Sequence, residues 1–383
     1  MRPQIHKTYH GPRSIRGMSL PEILAGVLIG LIGMVVIMQV YTVSEERKRT
    51  ASGTGDAQIN GTVAMYTLEK TLRSAGFGMV SPNNNVLGCN TLAYNSDRTT
   101  PDFNFLMAPV VITPGAGGAP DRLTVAYGDS PNVVEGGALT GPATSGLDFP
   151  MKNAAGILPG DLVVASETGL NCSLAEVTGF LPASINTVQH AVGAYSYTSG
   201  AVVVNATSRF NKGGGLGVDY SVAALIFSLG RSPTVITYQI GNDKLQSRTL
   251  MPYVAAQDAD NDGTSDADVG DGIVQMKAQY GKDTDGDSVV DAWNTTLPAT
   301  AADWRQVRAV RVAILARSGK YENKPGAPAP TADCIAPNNP PNSPFWSGGC
   351  FTMVDPADGT DWNFYRYRTY ETVVPLRNMI WSN

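Results

Sequence analysis

From Met18 to Ser44 the chain carries one charged side chain, Glu22. Ile23 to Val43 is an uncharged, mostly apolar stretch of 21 residues. As a helix rising ~1.5 Å per residue it spans a hydrocarbon core of ~30 Å. A secretory signal has a shorter apolar region that ends at a small-x-small cleavage site. No such site precedes the polar stretch Ser44-Glu45-Glu46-Arg47-Lys48-Arg49, and no cysteine lies nearby for lipidation. The segment reads as a single-pass N-terminal anchor. The leader before it carries Arg2, Lys7, Arg13 and Arg16 and no acid, which places the leader on the cytoplasmic side.

Glu22 fits a plain anchor badly. A charge deep in a bilayer costs about 2.5–3.5 kcal/mol on insertion scales, so an intramembrane carboxylate ordinarily has a partner. A cut after Gly17 would supply one, an α-amine on Met18 with Glu22 as the fifth residue. Pro21 suits a helix's first turn, where its missing N–H is not needed.

Gly17-Met18-Ser19-Leu20-Pro21-Glu22 resembles the class III signal of type IV prepilins. The resemblance implies that prepilin peptidase cuts between Gly17 and Met18 and methylates the new amine. It implies too that Glu22 pairs with a neighbouring subunit's N-terminus as the helix enters a filament. Met18 replaces a commoner phenylalanine and Pro21 a commoner aliphatic residue. Further segments extend the likeness: LRSAGFG at Leu72–Gly78, IVQMKAQYGKDTDGD at Ile273–Asp287, VRVAILARS at Val310–Ser318 and TVVPLRN at Thr372–Asn378 resemble PilW-family minor pilins. Residues 79 to 230 carry no such resemblance.

Without the leader's four basic residues the formal net charge moves from −5 to −9. That argues against a nucleic-acid site, which needs a basic face. With 41 Gly, 25 Pro and many short Val/Thr/Tyr runs, the exported part is expected to be rich in strands and loops. Four cysteines in an exported chain allow two disulfides in three pairings, or free buried thiols. Cys334 and Cys350 bracket a proline-rich loop whose closure would contribute ~3 kcal/mol, so that pairing is favoured, leaving Cys89–Cys172.

After the apolar segment the helix is expected to continue, with interruptions at Gly53, Gly55 and Gly61, each costing up to ~1 kcal/mol relative to Ala. Met65, Leu68, Leu72 and Ala75 recur at gaps of three and four, a face for docking, and Gly76-Phe77-Gly78 is a stop. Strands are expected at 121–127, 161–166, 201–205, 273–280, 308–317 and 365–376, with a hairpin over 234–246 turning at Gly241-Asn242-Asp243. Within 273–280, Val274, Met276, Ala278 and Tyr280 should share one face.

Two acidic loops stand out. Asp258, Asp260, Asp262 and Asp266 occupy loop positions 1, 3, 5 and 9, with Gly263 at 6 and Thr264 at 7 offering its carbonyl. Calcium needs six to eight oxygens about one point, which alternate carboxylates on a tight turn supply. Position 12 is Val269 rather than Glu, and no flanking helices are evident, so this is not an EF-hand. Asp283, Asp285, Asp287 and Asp291 repeat the acidic spacing. From 258 to 291 there are ten Asp and two Lys, a net of −8, which a cation would neutralise. Calcium is the cofactor the spacing suggests; solvated Asp/Gly turns are the competing reading.

Of the histidines His6, His10 and His190, only His190 lies beyond the leader. That removes multi-histidine zinc sites and leaves little for a catalytic triad, so a non-enzymatic chain is expected.

The expected fold is α+β, pilin-like, with a long N-terminal helix packed on a large, loop-rich, mainly antiparallel β domain. Its parts are a leader (1–17), a transmembrane and assembly helix (18–43), a stalk continuation (44–76) and a periplasmic β-rich domain (77–383) with acidic loops at 258–291. The resemblance implies a minor pilin or assembly protein of a type IV pilus. It would be stored in the inner membrane, then built into a priming or tip complex. Prepilin peptidase, other minor pilins, the major pilin and a tip adhesin are the implied partners. A minor pseudopilin of a type II secretion system and a membrane-anchored, calcium-dependent adhesin or hydrolase are the alternatives.

Overall fold

The computed structural model describes residues 17, 19–79, 86–130, 136–144, 148–215, 217–319, 321, 343–356, 359 and 361–380. Leader residues 1–16, Met18 and Cys334 lie outside the described residues. Two compact units divide between Ser52 and Gly53.

One helix, α1, runs Leu20–Ser74. The expected interruptions do not occur: the helix passes through Gly53, Gly55 and Gly61 unbroken. Gly61 has a different purpose. A Cβ there would sit 2.1 Å from the Tyr370 ring, and the Tyr370 hydroxyl donates to the Gln58 carbonyl at 3.0 Å. The glycine admits a close approach that any side chain would block.

Met65, Leu68, Leu72 and Ala75 are all buried, as their spacing predicts, in one core with strands of the β domain. Burying Leu68 and Leu72 contributes ~1.5–3 kcal/mol each. Beyond Ser74 the chain turns at Gly76 and Gly78, both at φ +76. The last carbonyls of a helix lack intrahelical partners. Here Asn378 Nδ2 donates to those of Ser74 (3.3 Å) and Ala75 (3.0 Å). The segments Leu72–Gly78 and Thr372–Asn378, distant in sequence, therefore meet.

The β domain contains three larger sheets. In the first, the order is Asp102–Leu106, Asn90–Tyr94, Cys172–Glu176, Leu162–Ser166, Leu225–Gly230, Gly137–Ala138. Every residue of Leu162–Ser166 and Cys172–Glu176 is buried because both faces of this sheet are covered. Leu162 and Val164 point into the core that holds α1's Leu68 and Leu72; Val163 and Ala165 point into a second core with Phe149, Val188 and Tyr220. A strand covered twice loses the alternation that marks a half-exposed one. Asn90–Tyr94 runs parallel to Cys172–Glu176, and the Cys89–Cys172 disulfide joins these two strands with their Cα atoms 5.9 Å apart.

The second sheet is antiparallel: Ser265–Asp271, Lys244–Met251, Thr234–Gly241, Arg122–Tyr127, Val110–Thr113. It contains the expected hairpin, whose two-residue turn, Asn242 and Asp243, has φ of 52 and 58. That is the turn which suits the right-handed twist of paired strands.

The third sheet is Ala292–Asn294, Ile273–Lys282, Val307–Arg317, Tyr367–Pro375. Met276, Ala278 and Tyr280 share the main core as expected, but Val274 does not. A register shift between Ile273 and Gln275 turns Ile273 inward instead, and Val274 packs beside Leu315, Trp346 and Phe351. One extra residue in a strand reverses the faces beyond it.

Candidate assembly and cation sites

Glu22 lies in the first turn of α1 and is exposed. The Ser19 carbonyl accepts from the N–H groups of Glu22 (2.9 Å) and Ile23 (3.2 Å), opening the helix. Gly17 is exposed just before it. Over Leu20–Glu45 the helix is long and apolar enough to cross a membrane. Leu24, Leu28, Leu31, Val35 and Met38 all face outward. A helix apolar on every side needs an apolar surrounding, either lipid or other helices.

The first acidic loop brings Asp258, Asp260 and Asp262 together, one carboxylate oxygen from each within 4.8 Å of the others. Asp258 is buried and accepts from the N–H groups of Asp262 and Gly263 (both 3.0 Å) and from the Tyr253 hydroxyl (2.9 Å). Asp262 accepts from the Thr264 N–H (2.9 Å) and hydroxyl (2.7 Å). Asn261 and Gly263 take positive φ, 58 and 81, to close the turn.

A cation is already there. Arg248 pairs with Asp260 at 3.1 Å, with Asp262, and with Asp266 at 3.6 Å. It stands on Lys244–Met251 directly opposite Asp266. Arg98, only 7% exposed, approaches from elsewhere, its guanidinium 4.2 Å from the Phe103 ring centre, and a Cβ on Gly263 would strike it. Asp266 lies on a strand outside the three-carboxylate group, and Asp268 pairs with Lys244 at 2.7 Å. Burial would raise the Asp262 carboxyl, but the Thr264 hydrogen bonds and the charges of Arg248 and Arg98 hold it below the usual range. Asp266 is pushed up, chiefly by burial, with Asp260 and Asp262 adding to it against Arg248.

In the second loop Asp283, Asp285 and Asp287 also converge. Asp283 is buried, accepts from the N–H groups of Gly286 (2.7 Å) and Ser288 (3.1 Å), and pairs with buried Arg308 at 3.0 Å. Burial would raise its carboxyl; those donors and Arg308 bring it below the usual range. Asp285 and Asp287 are exposed and make no salt bridge among the described residues. Asp291 is not in the group; it accepts from the Thr284 N–H (2.7 Å) and hydroxyl (2.9 Å) and so closes the loop. Sequence spacing locates both triads. Arg248, Arg98 and Arg308 arrive from other strands and loops, and nothing local announces them.

The Cys89–Cys172 disulfide is present. Cys350 is disulfide-bonded. His190 directly follows the strand Ser184–Gln189, its ring 4.5 Å from that of Phe149 in a stacked pair. It lines a small cavity with Ser173 and Tyr220, whose hydroxyl is pushed up to about 12, first by burial.

No curated protein matches this chain. Among solved structures, a type IV-like pilin from Thermus thermophilus aligns at 11% identity and a TM-score of 0.32, covering 83% of this chain and 95% of its own. Over residues 237–378, a span that includes both acidic loops and ends at the residue capping α1, the chain matches the family model of type IV pilus-assembly protein W.

Proposed function

We propose that this chain is a minor pilin or assembly protein of a type IV pilus. The family match over residues 237–378 carries the reading. The signal-like Gly17–Glu22 and the exposed apolar segment Leu20–Glu45 agree with it. Prepilin peptidase cuts between Gly17 and Met18, and the freed amine is methylated. Glu22 then pairs with the amine of a neighbouring subunit, an ion pair that removes the penalty of a lone carboxylate in an apolar surrounding. The helix moves from lipid into contact with other helices, and the β domain meets other minor pilins and the major pilin. The chain acts structurally, in a priming or tip complex. The test is Glu22→Ala in the native cell. Normal processing with loss from sheared filaments is expected, and undiminished filament incorporation would overturn the pairing role.

A second reading concerns the acidic loops. Asp285 and Asp287 are exposed beside Asp283 without ion pairs among the described residues, which favours the second loop as a calcium site. In the first loop calcium must displace Arg248 from three carboxylates, so that loop binds more weakly. Calorimetry of the full chain in detergent, with calcium, tests this. One site lost in Asp285→Asn is expected, and no heat from the wild-type chain would end the idea.

A further inference from the structure

A cleft of about 710 Å³ opens beside the Cys89–Cys172 disulfide. Three elements form it: the entry to the strand Asn90–Tyr94, the turn at 167–171, and the short helix Ala301–Arg305. The disulfide ties the first two walls together, so the cleft is formed before any ligand arrives. Its volume falls within the ~300–1,000 Å³ of small-molecule sites.

Arg305, half-buried, is the one cation lining the cleft among the described residues. Its Nε is buried with no hydrogen-bond acceptor, and its guanidinium makes no ion pair among the described residues. In a chain with 33 acidic and 28 basic side chains, carboxylates are plentiful, yet none reaches it. A buried donor left without an acceptor costs stability, so each such group calls for a reason.

Glu167, the one acid in the cleft wall, is already engaged. Its Oε2 accepts from the Ser221 N–H at 2.7 Å and its Oε1 from the Ser221 hydroxyl at 2.6 Å. A second donor stands behind the wall. Trp304 is fully buried, and its indole N–H, which can only donate, finds no acceptor among the described residues. A Cβ on Gly88, a cleft residue, would lie 3.1 Å from that nitrogen. Two orphaned donors on adjacent residues favour negative charge on the cleft side. The rest of the wall includes apolar Leu170, 42% exposed, and the exposed amides of Asn90 and Asn171.

We propose that this cleft binds a monocarboxylate with an apolar body, its carboxylate on Arg305 and its hydrocarbon part against Leu170. One guanidinium matches one carboxylate as a two-point fork. A phosphate dianion fits worse, because a single cation meets it and Glu167 stands in the same wall. A neutral ligand would leave Arg305 without a counter-charge. A free small acid and the C-terminal residue of a peptide present this same chemistry.

N-acetyl-leucine is the probe, titrated into the full chain in zwitterionic detergent micelles with its tryptophan indoles isotope-labelled for NMR. The Trp304 indole N–H signal, assigned by its absence from Trp304→Phe, reads the cleft locally. It should shift with a dissociation constant on the order of 1 mM, ordinary for so small a ligand. N-acetyl-leucine amide and inorganic phosphate should each bind about tenfold more weakly, or not at all. Arg305→Met keeps the stem and removes the fork, and it should weaken binding of the acid by about tenfold. Leu170→Glu adds a like charge at an exposed position and should act in the same direction, which keeps the test alive if Arg305→Met misfolds. A tetrapeptide ending in leucine that binds more tightly than N-acetyl-leucine would support a chain end as the source, and equal binding a free acid. An indole signal unmoved by the acid, equal affinity for acid and amide, tighter binding of phosphate, or undiminished binding in the two variants would each overturn the proposal.

Discussion

Gly61 in α1 and Tyr370 in the strand Tyr367–Pro375 are matched: the ring occupies the space a Cβ on residue 61 would take. The Tyr370 hydroxyl completes the contact by donating to Gln58 one turn earlier. Glycine weakens a helix in isolation, yet here it lets the helix lie against the sheet.

This relationship predicts a change of sign. Gly61→Ala should destabilise the protein by ~1–3 kcal/mol through overpacking, despite alanine's better helix propensity. In a Tyr370→Ala background the same substitution should stabilise by up to ~1 kcal/mol. A double-mutant cycle measured by urea unfolding decides it, since additive effects would deny the contact.

The Cys89–Cys172 bridge closes a loop of sequence separation 83. Constraining a loop of that size removes ~4–5 kcal/mol of unfolded-chain entropy on the loop-closure model. Paired Cys89→Ser and Cys172→Ser substitutions should lower the urea midpoint strongly without changing the parallel pairing of their strands. A midpoint close to wild type would show the bridge to be dispensable.

Asp283 sets an acid dependence. Its carboxyl is held below the usual range, so its contribution is complete above the unfolded carboxylate pKa of ~3.9 and is lost as pH falls through the lower folded value. Asp283→Asn should be less stable than wild type at pH 7, and the gap should narrow below pH ~4. Urea midpoints from pH 7 to 3 give the answer. A gap independent of pH would mean that Asp283 acts through shape alone.

The two acidic loops should differ in how they respond to loss of an arginine. Removing Arg248 by Arg248→Gln leaves Asp260, Asp262 and Asp266 without that cation, so calcium should bind the first loop at least tenfold more tightly. Calcium titration of the variant and of wild type makes the comparison. Equal affinities would show that Arg248 does not compete.

Much of this was legible from sequence where the signal is local. The docking face of α1 follows from its spacing, the 234–246 hairpin from its Asn-Asp turn, and the carboxylate triads from alternating Asp around glycine. Long-range features were not. Gly61 reads as an interruption because its reason, Tyr370, is far along the chain. Val274 was assigned to the wrong face because a bulge leaves no local trace. Between 79 and 230 the strands at 122–127, 162–166 and 202–207 were legible as short runs, whereas Cys172–Glu176, buried on both faces and without alternation, was not. Arg248 meets the first loop only because strand register sets it opposite Asp266.

The central claim, that this is a processed filament subunit, rests on one bond. Mass spectrometry of the chain purified from its native cells should find residues 1–17 removed and an N-methylated Met18 as the first residue. A chain that still carries its leader, or one cut elsewhere, would contradict the account.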